Sequence, residues 1–509
     1  VTSETGHISL FAFDDVIQNI GGDVRTGGGT VYVGAGNGNI EMADGAVTES
    51  EGGNVRYEAD DDILVGAIDT RDITPVRAPG QDAWGDVHLI ARNGGVYDHA
   101  DADAVDVYAD ALQIEADDNV GTSANHLEIS AATLAVLSAG NQGVFLTETE
   151  NLTVTEVAGI TVELVQFNAS TIIIPPEPTS LSDVTVALDS HVVLVVETGN
   201  LTITEGADTD DTGIDAPGAG NVLLKAENGD VILQATLDAG TGHATVRASG
   251  NVEQQTDGEE VGHIVTAGET STVDVLAGDS IVMNDEATTT TADNTIRYEA
   301  LAGSITLGGI DAGNATVSLN AGTDILDGGD THSDITSANL RIEAGNAVGS
   351  GESHVDTDVD TLAAETGAGG LFLDELDGLV VDTVAVSTVQ RVAEDATTSE
   401  VSDDADLSDI VSQADGTIVV NVASGTFTIN DGAVNPDSGI SAGGAGNILL
   451  TAGGETAGTS DLTVNADVTS GSGHIAFETD ADFLQNADVD TDGGTVTARA
   501  LGQIDMTEG

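Results

Sequence analysis

The sequence predicts an all-β protein, a parallel β-helix built from large tandem units. Three observations carry that prediction. First, short apolar runs, often alternating, are broken by Gly, Asn and Asp, as at Ile8–Phe13, Val31–Val33, Val222–Leu224 and Ile448–Leu450. Such runs read as strands between turns. Second, a Gly, then Asn or Asp, then Val or Ile recurs at 38–40, 53–55, 85–87, 220–222, 229–231, 250–252 and 446–448. Third, 40% of the 509 residues are hydrophobic but only 3% are aromatic, so an interior has to be made of slim aliphatic side chains.

Each Gly-Asn/Asp-Val/Ile step opens a strand of about three to six residues. One such strand buries little. Stacked as coils of about 20–25 residues, the strands bury a continuous stripe of Val, Ile and Leu. Gly, Asn and Asp then fall at corners, where a positive φ or a side-chain-to-backbone hydrogen bond is needed. The alternative is a string of β-sandwich modules of about 100 residues. A chain with one Trp and five Tyr suits it less well. Leu407–Val411 is one helical candidate.

A long repeat overlies this rhythm. Gly6-His7-Ile8 returns as Gly242-His243-Ala244 and Gly473-His474-Ile475, followed each time by a Gln (Gln18, Gln254, Gln485). The only three methionines close the matching steps Ile40–Met42, Ile281–Met283 and Ile504–Met506. Arg56–Ala59 matches Arg297–Ala300, and His126 matches His354. Offsets run from 504 − 281 = 223 to 272 − 30 = 242. The expected division is a first unit at 1–236, a second at 237–467 and the start of a third at 468–509, which reads as a segment of a longer array. The units diverge most at 165–200 and 385–425. These stretches are expected to be side excursions on the scaffold, where binding functions accumulate.

Charge excludes several functions. There are 88 acidic and 11 basic residues, a net charge of −77, and Lys225 is the only lysine. Nucleic-acid phosphates and anionic membrane surfaces need clustered Lys and Arg. Without cysteine there are no disulfides, zinc thiolates or thiol nucleophiles. No apolar run approaches the roughly 18 residues of a membrane helix, so direct membrane insertion is not expected.

Runs such as Gly220–Gln234 resemble the β-strand repeats of giant bacterial and archaeal surface proteins of the filamentous-haemagglutinin and adhesin type. The resemblance is one of pattern over most of the chain. It implies secretion to the cell surface, a β-helix shaft, and adhesive or scaffold work. It carries over no functional residue.

Asp488-Val-Asp490-Thr-Asp492-Gly493 has the D-x-D-x-D-G spacing of an oxygen-rich calcium loop, although Arg499 at the twelfth position excludes an EF-hand. Asp208, Asp210 and Asp211 form a further acidic cluster, and Asp60–Asp62 another. Calcium is the expected cofactor, relieving repulsion between stacked carboxylates; adaptation to high salt is the competing reason for the acidity. Asn151, Asn168, Asn200 and Asn314 head glycosylation sequons. His7, His243 and His474 share one repeat position, which points to a structural corner hydrogen bond rather than catalysis. No Ser-His-Asp order, nucleophile elbow or phosphate loop is apparent.

These readings converge on a non-enzymatic, extracellular structural protein, a stiff acidic shaft of a filament, sheath or giant cell-surface protein that self-associates. The alternative is an adhesin that grips glycans or neighbouring cells through its two inserts.

Overall fold

The computed structural model describes residues 1–72, 84–99, 104–176, 178–207, 210–329, 332–403, 405–434, 437–454 and 456–507. Among these there is no helix; Leu407 lies in an isolated bridge with Val384, and the following residues form the strand Ile410–Ser412, so the helical candidate is not one. The chain forms two compact units. The first comprises Val1–Gly250, Thr256–Val265 and Val392–Ser399; the second comprises Asn251–Gln255, Thr266–Arg391 and Glu400–Gly509.

The first unit opens with four coils of three strands each. Coil one holds β1 (Thr2–Ser3), β2 (Ile8–Ala12) and β3 (Val16–Gln18); coil two holds β4 (Val24–Thr26), β5 (Val31–Ala35) and β6 (Ile40–Met42). Coil three holds β7 (Val47–Glu49), β8 (Val55–Ala59) and β9 (Ile63–Val65); coil four holds β10 (Ala67–Asp69), β11 (Val87–Ala91) and β12 (Val96–Asp98). Every strand pairs in parallel with the third strand after it: β2 with β5, β5 with β8, β8 with β11. The unit is therefore a parallel β-solenoid with three strand columns, and this register excludes the sandwich alternative. Paired positions Ile8, Val31, Val55, Val87, Leu112 and Leu134 lie 23, 24, 32, 25 and 22 residues apart. In the second unit, Val273, Ile296, Val317, Leu340 and Leu362 lie 23, 21, 23 and 22 apart.

Each unit has one coil of about twice that length. Val144 pairs with Val192, 48 residues on, and Leu371 pairs with Ile418, 47 residues on. The surplus chain leaves the columns between Leu152–Val154 and Val184–Val186 and between Leu379–Val381 and Ile410–Ser412, so each insert begins and ends earlier than the divergent stretches 165–200 and 385–425, whose later strands His191–Val196 and Ile418–Val422 belong to the coils. The first insert contains an antiparallel hairpin, Val162–Val165 with Thr171–Ile174.

The interior is aliphatic and stacked. Val31, Val33, Val55, Tyr57, Val87 and Leu89 are buried, and Ala35, Ala59, Ala91 and Ala116 close successive strands in register. Small side chains fit because coils lie only about 4.8 Å apart. Each unit also buries one polar knot. Tyr57 Oη lies 2.6 Å from Thr48 Oγ1, which is 3.4 Å from Gln18 Oε1; Tyr298, Thr289 and Gln254 repeat the arrangement. Gln18 and Gln254 thus serve the interior, while Gln485 is half-buried and donates to the Ala487 carbonyl.

The Gly-Asn/Asp-Val/Ile step has a physical cause. The Asn or Asp oxygen accepts the backbone N–H of the matching residue one coil on: Asp15 Oδ1 from Asn39, Asn39 Oδ1 from Asp62, and Asp62 Oδ1 from Gly95, at 2.9–3.0 Å. Asp461, Asp482 and Gln503 repeat this in the second unit. The glycine before it is required by close approach rather than by a left-handed φ. A Cβ on Gly53 would stand 2.0 Å from the carbonyl oxygen of Gly29, and one on Gly85 would stand 2.3 Å from that of Gly53. His7 and His474 belong to the same corner system. Their Nδ1 atoms accept the N–H of Thr30 and Thr495 at 3.1 Å. His243 donates its backbone N–H to Asn221 Oδ1.

Candidate metal centres

Because coils stack in register, carboxylates distant in sequence meet on one face. Asp98 ends β12, Asp106 precedes the strand Val107–Ala116, and Glu128 lies in the next coil, in the strand Leu127–Ser138. One oxygen from each lies within 4.8 Å of the others. Two bonds fix the arrangement: Glu128 N–H donates to Asp106 Oδ2 at 3.1 Å, and Asn125 Nδ2 donates to Asp98 Oδ2 at 2.8 Å. Asp106 is buried, and burial together with the Asp98 charge pushes its pKa up to about 9. At neutral pH this group therefore holds a proton, or a cation in its place.

The second repeat places Asp327, Asp334 and Asp356 at the matching positions. Asp356 N–H donates to Asp334 Oδ2 at 2.9 Å, and Ser353 Oγ donates to Asp327 Oδ2 at 2.7 Å. Asp334 is buried with its pKa pushed up to about 8 by burial, and its Oδ1 makes no hydrogen bond.

Of these two matching groups only the first brings one oxygen of each carboxylate within 4.8 Å of the others; two further groups do so as well. Asp183, Glu205 and Asp210 meet in the first unit; Asp358, Glu375 and Asp377 meet in the second. Glu375 is buried and accepts from Thr357 Oγ1 at 2.6 Å and from the N–H groups of Val359 and Asp377; burial pushes its pKa up to about 7. Its repeat counterpart, Glu148, is also pushed up to about 7 by burial and accepts the N–H groups of Ala131 and Glu150.

These are all-oxygen donor sets. Calcium takes six to eight hard oxygen ligands, and three carboxylates supply as many as six, so the sets fit calcium or magnesium better than zinc. No step of chemistry follows from them beyond charge neutralisation and the tying together of adjacent coils.

The structure treats the sequence candidates differently. Asp210 joins a converging group, but with Asp183 and Glu205 rather than with its sequence neighbours. Asp208 lies outside the described residues. Asp211, with φ 66°, shares a hydrogen bond with Glu260. Asp488, Asp490 and Asp492 are exposed on and around the strand Val489–Thr491 and are not brought together with one another. An extended strand sets alternate residues about 6.6 Å apart. Asp62 is a corner acceptor.

Among the sequon residues, Asn151 Oδ1 accepts the N–H of Asn200, and Asn200 Oδ1 that of Asp230, so both belong to a corner ladder. Asn168 lies exposed in the turn of the first insert, and Asn314 donates to Asp293. The acids that do converge carry no local motif, because each group draws on separate coils. Aligning the repeats at 334 − 106 = 228 residues is the signal that could have found the first pair.

No family model, no curated protein and no solved structure matches this chain. Fold and site therefore stand on the molecule's own geometry.

Proposed function

We propose that this protein is a non-enzymatic, extracellular structural element: a stiff acidic shaft of a filament, sheath or giant cell-surface protein, extended by self-association. The observation that carries this reading is the parallel backbone ladder held in register through each unit. Load along such a stack is shared by many hydrogen bonds, and an uncovered end coil offers strand edges to another chain. Calcium enters as a counter-ion at the carboxylate groups, binding coil to coil where protonation would otherwise be needed. The adhesin reading is supported by the inserts, which dock on the outside of the coils and leave side chains such as Phe167 and Ile173 exposed.

The test is thermal unfolding and negative-stain imaging of the chain at low ionic strength, with calcium and with chelator. The expected outcome is elongated particles and a melting midpoint that millimolar calcium raises by several degrees, with Asp106→Asn losing part of that rise. Compact particles would overturn the shaft. A midpoint that responds only to molar monovalent salt would replace calcium by halophilic adaptation.

A further inference from the structure

Arginine is scarce in this chain and almost wholly committed. Every other described arginine lies within 4 Å of a carboxylate. Arg247 does not: among the described residues it has no ion pair, and its Nε is buried without a hydrogen-bond partner. With 88 carboxylates available, a guanidinium left unpaired is a specific feature of its surroundings.

Those surroundings form a groove. Arg247 lies in the strand Ala244–Ala248, in register with Lys225 one coil before it. The segment Val392–Ser399 of the second insert belongs to this unit. It seats Val392 and Ala396 against Phe145, Val193, Val195 and Leu223, with Val392 N–H donating to Thr245 Oγ1 at 2.9 Å. Beside this apolar seam a groove of about 660 Å³ opens, within the range of small-ligand sites. Its charges are not equivalent. Lys225 Nζ is held by Glu227 and Glu394 at 2.6 Å each. His126 is spent on Thr147 Oγ1 and the Glu394 carbonyl. Thr397 donates N–H and Oγ–H to Asp395, which keeps that carboxyl below its usual range and hence ionised. The groove, which Glu128 of the first acidic group also lines, thus offers one guanidinium without an ion pair among carboxylate, amide and hydroxyl groups.

We infer that this groove binds an acidic saccharide with a single carboxylate. The carboxylate pairs with Arg247 in the fork geometry that guanidinium favours. The sugar hydroxyls donate to Asp395 and Glu394, which find no such donors in a plain carboxylate ion. A polyanion is disfavoured, because a second negative charge would face those same acids. The inference goes beyond the shaft reading and does not depend on it: failure here leaves assembly untouched, and failure of assembly leaves the groove intact.

The test is calorimetric titration of the chain with cellobiuronic acid, its methyl ester and cellobiose. Saturable binding of the acid is expected, with the ester and cellobiose at least tenfold weaker and Arg247→Gln weakening the acid by a similar factor, its β-sheet spectrum unchanged. The ester comparison needs no variant, so a misfolded Arg247→Gln would not end the test. Three results would each overturn the inference: no saturation at concentrations on the order of 10 mM, equal binding of acid and ester, or competition by acetate as effective as the disaccharide.

Discussion

The two inserts occupy matching coils of their repeats and use the same backbone seats, and both add apolar contacts, yet among the described residues only the second is also tied to a network of buried carboxylates and arginines. In the first, Glu163 N–H donates to Thr30 Oγ1 and Val165 N–H to Ser9 Oγ. In the second, Gln390 N–H donates to Thr272 Oγ1 and Val392 N–H to Thr245 Oγ1, the repeat counterparts of those hydroxyls. Beyond these seats they diverge. Val157 and Ile160 of the first insert pack on Ala135 with Leu181 alongside, and Pro175 offers only a carbonyl to Arg56. In the second unit, Asp403 is buried between Arg297 and Arg341, with Ser318 and Ser387 donating to it, while Arg391 reaches buried Asp274. The comparison teaches that columns of repeated hydroxyls fix where an excursion lies down. The side chains above are then free to differ, as long as polar groups buried beneath them are answered.

The largest expected effect breaks the charged fastening. Asp403→Ala removes the carboxylate that Arg297 and Arg341 share, leaving Arg297 to Asp274 and Glu299 and Arg341 to Glu343, a loss of about 3 kcal/mol, at the low end for a broken buried pair. It should appear in urea unfolding and as new protease cleavage near the second insert. Arg56→Met under the first insert should cost clearly less. Equal losses would show that the charge network is not what distinguishes the inserts.

The next effect is one the two repeats should share. Glu148 and Glu375 have folded pKa values pushed up to about 7 by burial, above the usual value near 4.3. The folded state therefore binds more protons than the unfolded chain. The stability they contribute is complete below about pH 4 and is lost as pH rises through about 7. Each buried group accounts for on the order of 3 kcal/mol of this fall. Glu148→Gln should flatten part of the dependence and stabilise the chain at pH 8 at low calcium, and Glu375→Gln should do the same. A steeper fall in either variant would contradict the assignment.

The smallest effect sharpens the shared seat. Thr30→Val and Thr272→Val each remove one hydroxyl that accepts an insert N–H. Each should cost about 1 kcal/mol, seen as faster amide exchange at Glu163 and Gln390. Unchanged exchange at both would mean that the inserts are held by side chains alone.

Much of the scaffold was legible in the residues. Val31–Val33 and Val222–Leu224 announced strands, and Gly38-Asn39-Ile40 announced a corner whose side-chain oxygen is used as expected. The glycine before it was legible only as a turn. Its reason, the 2.0 Å approach that a Cβ at Gly53 would make to Gly29, belongs to the stacking of one coil on another. The acidic sites were the least legible. Asp488, Asp490 and Asp492 are neighbours in sequence and stay apart along a strand, whereas Asp98, Asp106 and Glu128 are scattered in sequence and meet.

By itself, then, the sequence determined the all-β class and the aliphatic interior, because both are written in local alternation, whereas the exact points where the chain leaves and rejoins the coil were not. Only the tertiary structure decided which carboxylates share a site and which hydroxyls seat the inserts. It also decided that Arg247 has no ion pair among the described residues. Those outcomes depend on register between coils, and register brings together residues more than twenty positions apart that no local pattern connects.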